Sequence, residues 1–544
     1  MSVSFVEAVR AAALAYVLIF ILYPIGYFTV FVLSAERAVE MVRLLGSDLF
    51  LSSLKNSLIV SFSTTALTAL LGLPYAYFIH RYNIPGKKFV LSAAFLPTMI
   101  PPFVGSLAVI YLLGRFGTVN LVLLDLGVIS RPINFIYGLH GVVFVQVLAL
   151  FPWVAINVYN NLLKIDRTLE EAAETLGASP FRRFFTITLP ATIPGLATGV
   201  FMVFSFSFTD YATPIVLGQY ELLAPQAFVN IQQAIDESRV RAGAYMVFFM
   251  LAVVVFTFLA SKKYITLKEY ASLRPPRPIE EIELSGLKKA GVVAFVYALL
   301  TLALLPHAFV FMISISKAWS LTPLPTAVTL ENFSRALGNW KPIANTALYA
   351  SLGTLFCFLL GTFAAYIVAR THHTINTVVD AALSMMFVVP GIVVGTSYLL
   401  AFRRELPIVG VLGATWLIMP LMLATRRITY TMRYSYATYL LLRRSLEESA
   451  YVLGDRPFTT FARIVMPNAI HGILAGTLFS FVEIINELTA SLFIYKPGWE
   501  TVTIQMFIET IAGRMPVAAA YAVLLLISST VIAYTALALA AKTH

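Results

Sequence analysis

Three carboxylates fall where carboxylates are expensive. Asp210 lies in Phe208-Thr-Asp-Tyr-Ala-Thr-Pro214, and Glu483 and Glu487 lie in Glu483-Ile-Ile-Asn-Glu-Leu-Thr-Ala490, each flanked by long apolar runs. A charged side chain at membrane depth costs about 3 kcal/mol or more unless it faces protein or water. Asp210 and Glu487 are 487 − 210 = 277 residues apart, an interval that recurs between other matched positions. One reading is that the pair lines a polar path favouring a cation, with Thr209 and Asn486 as further oxygen-bearing groups. The other is that each acid bonds a neighbouring helix or caps a helix broken near Pro214. Glu483, one helical turn from Glu487, shares its face but matches Phe206 in the other copy. Other chemistry is sparse. The seven histidines are scattered, His372-His373 reads as a solvated turn, and the lone Cys357 has no partner in the chain. No Gly-x4-Gly-Lys-(Ser/Thr) phosphate loop occurs. Neither a catalytic constellation nor a metal site is expected.

A second constellation is polar and duplicated. Leu169 to Pro190 reads LEEAAETLGASPFRRFFTITLP, and Leu446 to Pro467 reads LEESAYVLGDRPFTTFARIVMP, aligned without a gap. Both carry Glu-(Ala/Ser)-Ala, three residues, Gly, nine residues and Ile-x-(Leu/Met)-Pro. Asp166 can cap a helix whose first-turn acids, Glu170 and Glu171, suit the positive end of its dipole. Gly177 ends that helix, Ser179-Pro180 opens a short second one, and Pro190 restarts the chain. Glu447, Glu448, Ala450, Gly454 and Pro467 repeat the plan. One such segment could simply rest on lipid; two with equal spacing predict a twofold docking surface.

The elements that position these residues are membrane helices. A chain that is 59% hydrophobic and only 12% charged excludes soluble domains. Its apolar runs of about 20 residues each suffice to cross a hydrocarbon core as helices. Spans are expected at 10–33, 56–80, 89–114, 137–163, 191–217, 243–261, 290–315, 345–369, 377–402, 409–425, 468–493 and 517–541. The fold expected is all-α and polytopic, about twelve spans in two parallel six-helix repeats. Its divisions are a first repeat at 1–261, a cytoplasmic linker at 262–289 and a second repeat at 290–544, with polar docking loops at 166–190 and 443–467. Gly72 to Arg81 aligns with Gly361 to Arg370 at 361 − 72 = 289, as do Asn56 with Asn345 and Pro101 with Pro390. With both termini placed in the cytoplasm, the inner loops carry the larger share of Lys and Arg. The net charge of +11 then reflects topology, with no role for nucleic acid.

The repeated motif Glu171-Ala-Ala-x3-Gly177-x9-Ile187-x-Leu189-Pro190 resembles the EAA loop of permease subunits in type I binding-protein-dependent ABC importers. The second copy departs mildly, with Ser449 and Met466. The chain as a whole resembles a head-to-tail fusion of two permeases, of the ferric-iron, thiamine and aminophosphonate branch. That resemblance implies that Glu170, Glu171, Ala172, Ala173, Gly177 and Pro190, with their second-copy counterparts, couple to a cytoplasmic ATPase. It further implies two ATPase copies holding ATP and Mg, no cofactor on this chain, and a separate solute-binding protein outside the cell membrane. Expected activity is ATP-driven import by alternating access, ferric iron first among substrates. Thiamine, an aminophosphonate or another small solute is the alternative, and a proton-coupled secondary transporter is the rival class.

Overall fold

The computed structural model describes residues 4–99, 101–233, 236–265, 281–319, 321–403, 405 and 410–541. The expected linker's Arg-Pro-Pro-Arg-Pro run and Glu280 lie outside them. In chain order the main helices are α1 (Phe5–Leu33), α2 (Asp48–Arg81), α3 (Pro102–Leu113), α4 (Leu139–Leu162), α5 (Arg167–Thr175), α6 (Pro180–Phe208), α7 (Ala212–Val216) and α8 (Glu237–Lys262). The second half supplies α9 (Gly286–Ser314), α10 (Lys341–Arg370), α11 (Thr374–Val388), α12 (Gly391–Ala401), α13 (Ile418–Leu441) and α14 (Ser445–Val452). It closes with α15 (Pro457–Ile485), α16 (Ser491–Ile494) and α17 (Met515–Ala541). A two-stranded ribbon, Ser316–Ala318 against Ala327–Val328, is the sheet among the described residues.

The all-α, polytopic expectation holds: ten helices among the described residues are long and apolar enough to cross a membrane. The pair α11 and α12 is apolar enough together but bent by 114° at Val389-Pro390, the shape of a broken span or a re-entrant loop. Pro390 lacks the donor that would continue the helix. The expected span 409–425 is displaced. Its helix, α13, runs from Ile418 to Leu441 and carries Arg426, Arg427 and Arg433 inside it. A hydropathy reading stops at two adjacent arginines. The helix continues because acids on another helix neutralise them. Likewise the expected span 89–114 is broken at Leu96–Thr98 and Pro101 before α3 begins.

Two compact units form, and each takes residues from both halves of the chain. One contains residues 1–44, 230–248 and 330–544; the other contains 45–229 and 249–329. Within the first, α1 packs on second-half helices: Tyr16 Oη lies 2.8 Å from Thr425 Oγ1, and Tyr398 Oη donates to the Phe20 carbonyl at 2.6 Å. Within the second, α9 packs on first-half helices, with Tyr297 Oη donating to the Pro85 carbonyl at 2.7 Å. The opening helix of each half is thus exchanged.

Matched glycines bring the load-carrying helices together in each unit. A Cβ on Gly72 of α2 would lie 3.0 Å from Val154 Cβ of α4, and one on Gly199 of α6 would lie 2.8 Å from Val154 Cα. Their counterparts Gly361 and Gly476 face Thr431 and Tyr434 of α13 at 3.2 and 2.6 Å. Without hydrophobic drive between helices in lipid, such close approach supplies the van der Waals contact that holds a bundle.

Candidate functional site: paired coupling loops and intramembrane polar networks

Both polar loops fold to the same plan. Asp166 caps α5, its carboxylate accepting from Thr168 N at 3.0 Å. The helix ends in a left-handed glycine, Gly177 at φ +78°, with Ala178 N reaching back to the Ala173 carbonyl at 2.9 Å. In the second copy, Gly454 has φ +88°, and Asp455 N bonds the Ala450 carbonyl at 3.0 Å. A short helix and a π-turn follow, Phe184–Thr188 in one copy and Phe461–Val465 in the other. Pro190 and Pro467, at the start of the next α-helical stretch, cannot donate backward, which favours that widened turn.

The two acids of each loop face opposite ways. Glu171 and Glu448 are exposed, as is Ala172. Glu170 turns inward, 2.6 Å from Arg81 Nη1 at the end of α2, and accepts from Thr188 Oγ1 at 2.8 Å. Glu447 is equally buried, 2.6 Å from Arg370 Nε at the end of α10 though off a hydrogen-bond line. Tyr366 Oη donates to Glu447 at 3.0 Å. The pairs are related by the chain duplication, since 370 − 81 = 289 and 447 − 170 = 277. Apolar side chains face outward: Leu176 and Leu453 are each 87% exposed, and Phe181 and Phe458 are 74% and 56% exposed. In each loop a leucine and a phenylalanine are thus left outside the packed core, the kind of exposed apolar group that marks a candidate contact surface.

The acids inside the spans sit in two unlike networks, one in each compact unit. Asp210 follows the end of α6 and accepts from Thr213 N at 3.1 Å, capping α7. Its other oxygen accepts from Gln146 Nε2 at 3.0 Å, and Gln146 Oε1 in turn accepts from Ser207 at 2.6 Å and Thr64 at 3.1 Å. Among the described residues no basic side chain pairs with Asp210. Glu487 is 2% exposed and lies 2.6 Å from both Arg426 Nη1 and Arg427 Nη2. Thr489 Oγ1 and Ala490 N donate to its second oxygen, each at 2.9 Å. Glu483 stands 3.0 Å from Arg427 Nη1. Thr209 spends its hydroxyl on the Ser205 carbonyl, and the Asn486 amide donates to Val482 O and Ser529 Oγ.

Reading the residues alone missed several of these partners. Arg426 and Arg427 were masked by ending their span at 425, although adjacent arginines after an apolar run are a visible flag. Gln146 stood alone in Val142-Val-Phe-Val-Gln-Val-Leu. Arg81 and Arg370 were visible as matched helix ends, and their target acids appear only in three dimensions. The exposed Leu176–Leu453 and Phe181–Phe458 pairs were legible from the repeat.

A polytopic helical protein with two matched polar loops is thereby defined, and its relatives give the class. The chain belongs to the family described as binding-protein-dependent transport system inner membrane component, which matches twice, over residues 69–268 and 358–543. Each match contains one polar loop. Ferric transport system permease protein FbpB of Actinobacillus pleuropneumoniae is 28% identical over 507 residues, covering 90% of this chain and 71% of the relative. The putative ferric transport system permease protein FbpB 1 of Haemophilus influenzae is 28% identical, covering 84% and 72%. A half-length match, 28% identical, covers 45% of this chain and 90% of the molybdate/tungstate permease protein WtpB of Pyrococcus furiosus. The chain is a double, multi-pass membrane permease, a transport subunit of a binding-protein-dependent importer.

Proposed function

We propose that this chain is the translocation pathway of an ATP-driven importer for ferric iron. Two copies of a cytoplasmic ATPase seat on the loops at 166–190 and 443–467, and a solute-binding protein delivers iron from outside. Both termini then lie in the cytoplasm. The observation that carries the reading is the pair of loops, each with a short helix, a left-handed glycine and outward leucine and phenylalanine. Closing of the ATPases on ATP and Mg, which they and not this chain would hold, brings the loops together and tilts the helices behind them.

Support for iron comes from the ferric relatives that match along both halves. Charge adds to it. Glu483 and Glu487 are balanced by Arg426 and Arg427, whereas Asp210 meets neutral donors and keeps its negative field for a cation. Gentle isolation from native membranes tests the proposal, with mass spectrometry for an ATPase and elemental analysis of any binding protein that accompanies it. An ATPase with an iron-loaded binding protein is the expected result. An organic or anionic ligand removes iron and leaves the importer. Uptake that survives without any ATPase and collapses with a proton uncoupler overturns the whole reading.

A further inference from the structure

The coupling helices are weakly embedded for parts that must transmit force. On α5, Leu169, Glu171 and Ala172 are exposed, with Leu176 just past its end, and on α14 so are Leu446, Glu448 and Val452, with Leu453 just past its end. Little apolar packing therefore ties either helix to the membrane bundle. The charged group that each coupling helix sends inward is one carboxylate, beside the small Ala450 on α14, while Phe184 and Phe461 of the following turns pack on Tyr77 and Tyr366. Glu170 is 7% exposed against Arg81 at 14%, and Glu447 is 9% exposed against Arg370 at 7%.

We propose that Arg81–Glu170 and Arg370–Glu447 are the struts through which displacement of the coupling helices is delivered to the membrane helices. A buried ion pair suits this role. Separating it strands two unpaired charges away from water, so it resists stretching far more steeply than an apolar contact that can slide. Each strut ends on the last turn of a long membrane helix, α2 or α10, where a cation also meets the negative end of the helix dipole.

The struts are anchored at their far ends by different means. In the first copy, Thr188 ties Glu170 to the π-turn that opens the next span. The backbone of Arg81 is itself held, its carbonyl accepting from Ile282 N at 3.0 Å, while Asn83 N donates to the Ile282 carbonyl at 3.2 Å. Lys87 and Glu281 close the same junction at 2.6 Å. In the second copy, Arg370 Nη2 donates to the Leu442 carbonyl at the end of α13, at 3.0 Å. Tyr366, one turn back on α10, supplies the hydroxyl. Each strut therefore joins its coupling helix to two membrane elements, and the four charged residues are positioning residues with no contact to cargo.

This inference rests on the ATPase reading. Its test uses the full chain with its bound ATPase in lipid nanodiscs, Cys357→Ser throughout, with spin labels on Tyr220→Cys and Lys496→Cys, both exposed. ATP-induced change in label separation is measured beside hydrolysis. In the double variant Glu170→Gln with Glu447→Gln, the label response is read per bound ATPase and per ATP hydrolysed, so that lost binding is separated from lost transmission. The label response falls about five-fold or more, the size of an ordinary coupling energy. Arg81→Lys with Arg370→Lys keeps charge and is expected to keep most of the response. A full response in the double Gln variant overturns the proposal, as does an equal loss in the Lys variant. If the double variant does not insert, Glu170→Gln alone serves, an undiminished response again overturning it. An unaltered chain that binds no ATPase overturns the parent reading and the strut with it.

Discussion

The two polar loops share one backbone plan, while the two intramembrane networks at duplicated positions are built on opposite principles. Gly177 and Gly454, Leu176 and Leu453, and the Arg–Glu pairs repeat at constant offsets. Asp210, by contrast, sits among amides and hydroxyls, whereas Glu487 is clamped by two guanidiniums. The crevice beside the first network shows what changed. It is lined by Pro97, Pro101, Pro102, Ala149, Pro306 and His307, and Ala149 is the counterpart of Arg426, since 426 − 149 = 277. Where one half leaves a methyl and a gap, the other inserts a guanidinium against Thr489 and Gly391. A Cβ on Gly391 would come within 1.9 Å of the Thr489 hydroxyl and 2.5 Å of Arg426 Nη1. The proposed pair of ATPases would need two like surfaces, whereas the proposed solute path needs no matched pair of polar networks.

Four variants break or sharpen that contrast. The largest effect is expected from Gly177→Asp with Gly454→Asp. Both residues hold positive φ, which costs a side chain about 1–2 kcal/mol, and the new acids land on the contact face. Iron uptake in cells should fall below detection while membrane insertion, read by blotting, persists. Next comes Glu487→Gln, which leaves Arg426 and Arg427 buried without their shared anion and should cost about 3–5 kcal/mol, seen as a fall in Tm in detergent. Asp210→Asn should cost only about 1 kcal/mol by the same measurement, because an amide still accepts from Thr213 N. Its effect should appear instead in iron uptake, and normal uptake would remove Asp210 from the pathway. Smallest is Ala149→Val in the crevice, expected to raise stability by about 0.5–1 kcal/mol with uptake unchanged. Any loss of uptake there would mean the crevice moves during transport.

Leu176→Ser with Leu453→Ser asks whether the likeness of the loops reflects a shared partner. Burying each leucine should contribute about 1.5–3 kcal/mol, so the ATPase should dissociate during purification. Loss from one single variant only would mean that the two loops meet different surfaces.

Most of the architecture was legible without coordinates, because membrane helices satisfy their own backbone and so announce themselves by local composition. The coupling loops were legible for a similar reason. A terminal glycine and a restarting proline act within a few residues, and the duplication repeats them, whereas the side-chain caps belong to the first copy. The span ending at 425 was misplaced because hydropathy judges each arginine alone, and what makes Arg426 and Arg427 tolerable lies sixty residues away, at Glu487.

Chain order alone determined that this protein is a duplicated membrane permease with two like polar loops, since both facts rest on local pattern. Only the tertiary structure decided which intramembrane acids meet a guanidinium and which meet neutral donors, which helices exchange between halves, and what Glu170 and Glu447 hold. Those are questions of partnership between distant residues, and the energy of a buried charge depends on the group opposite it, which no local pattern records.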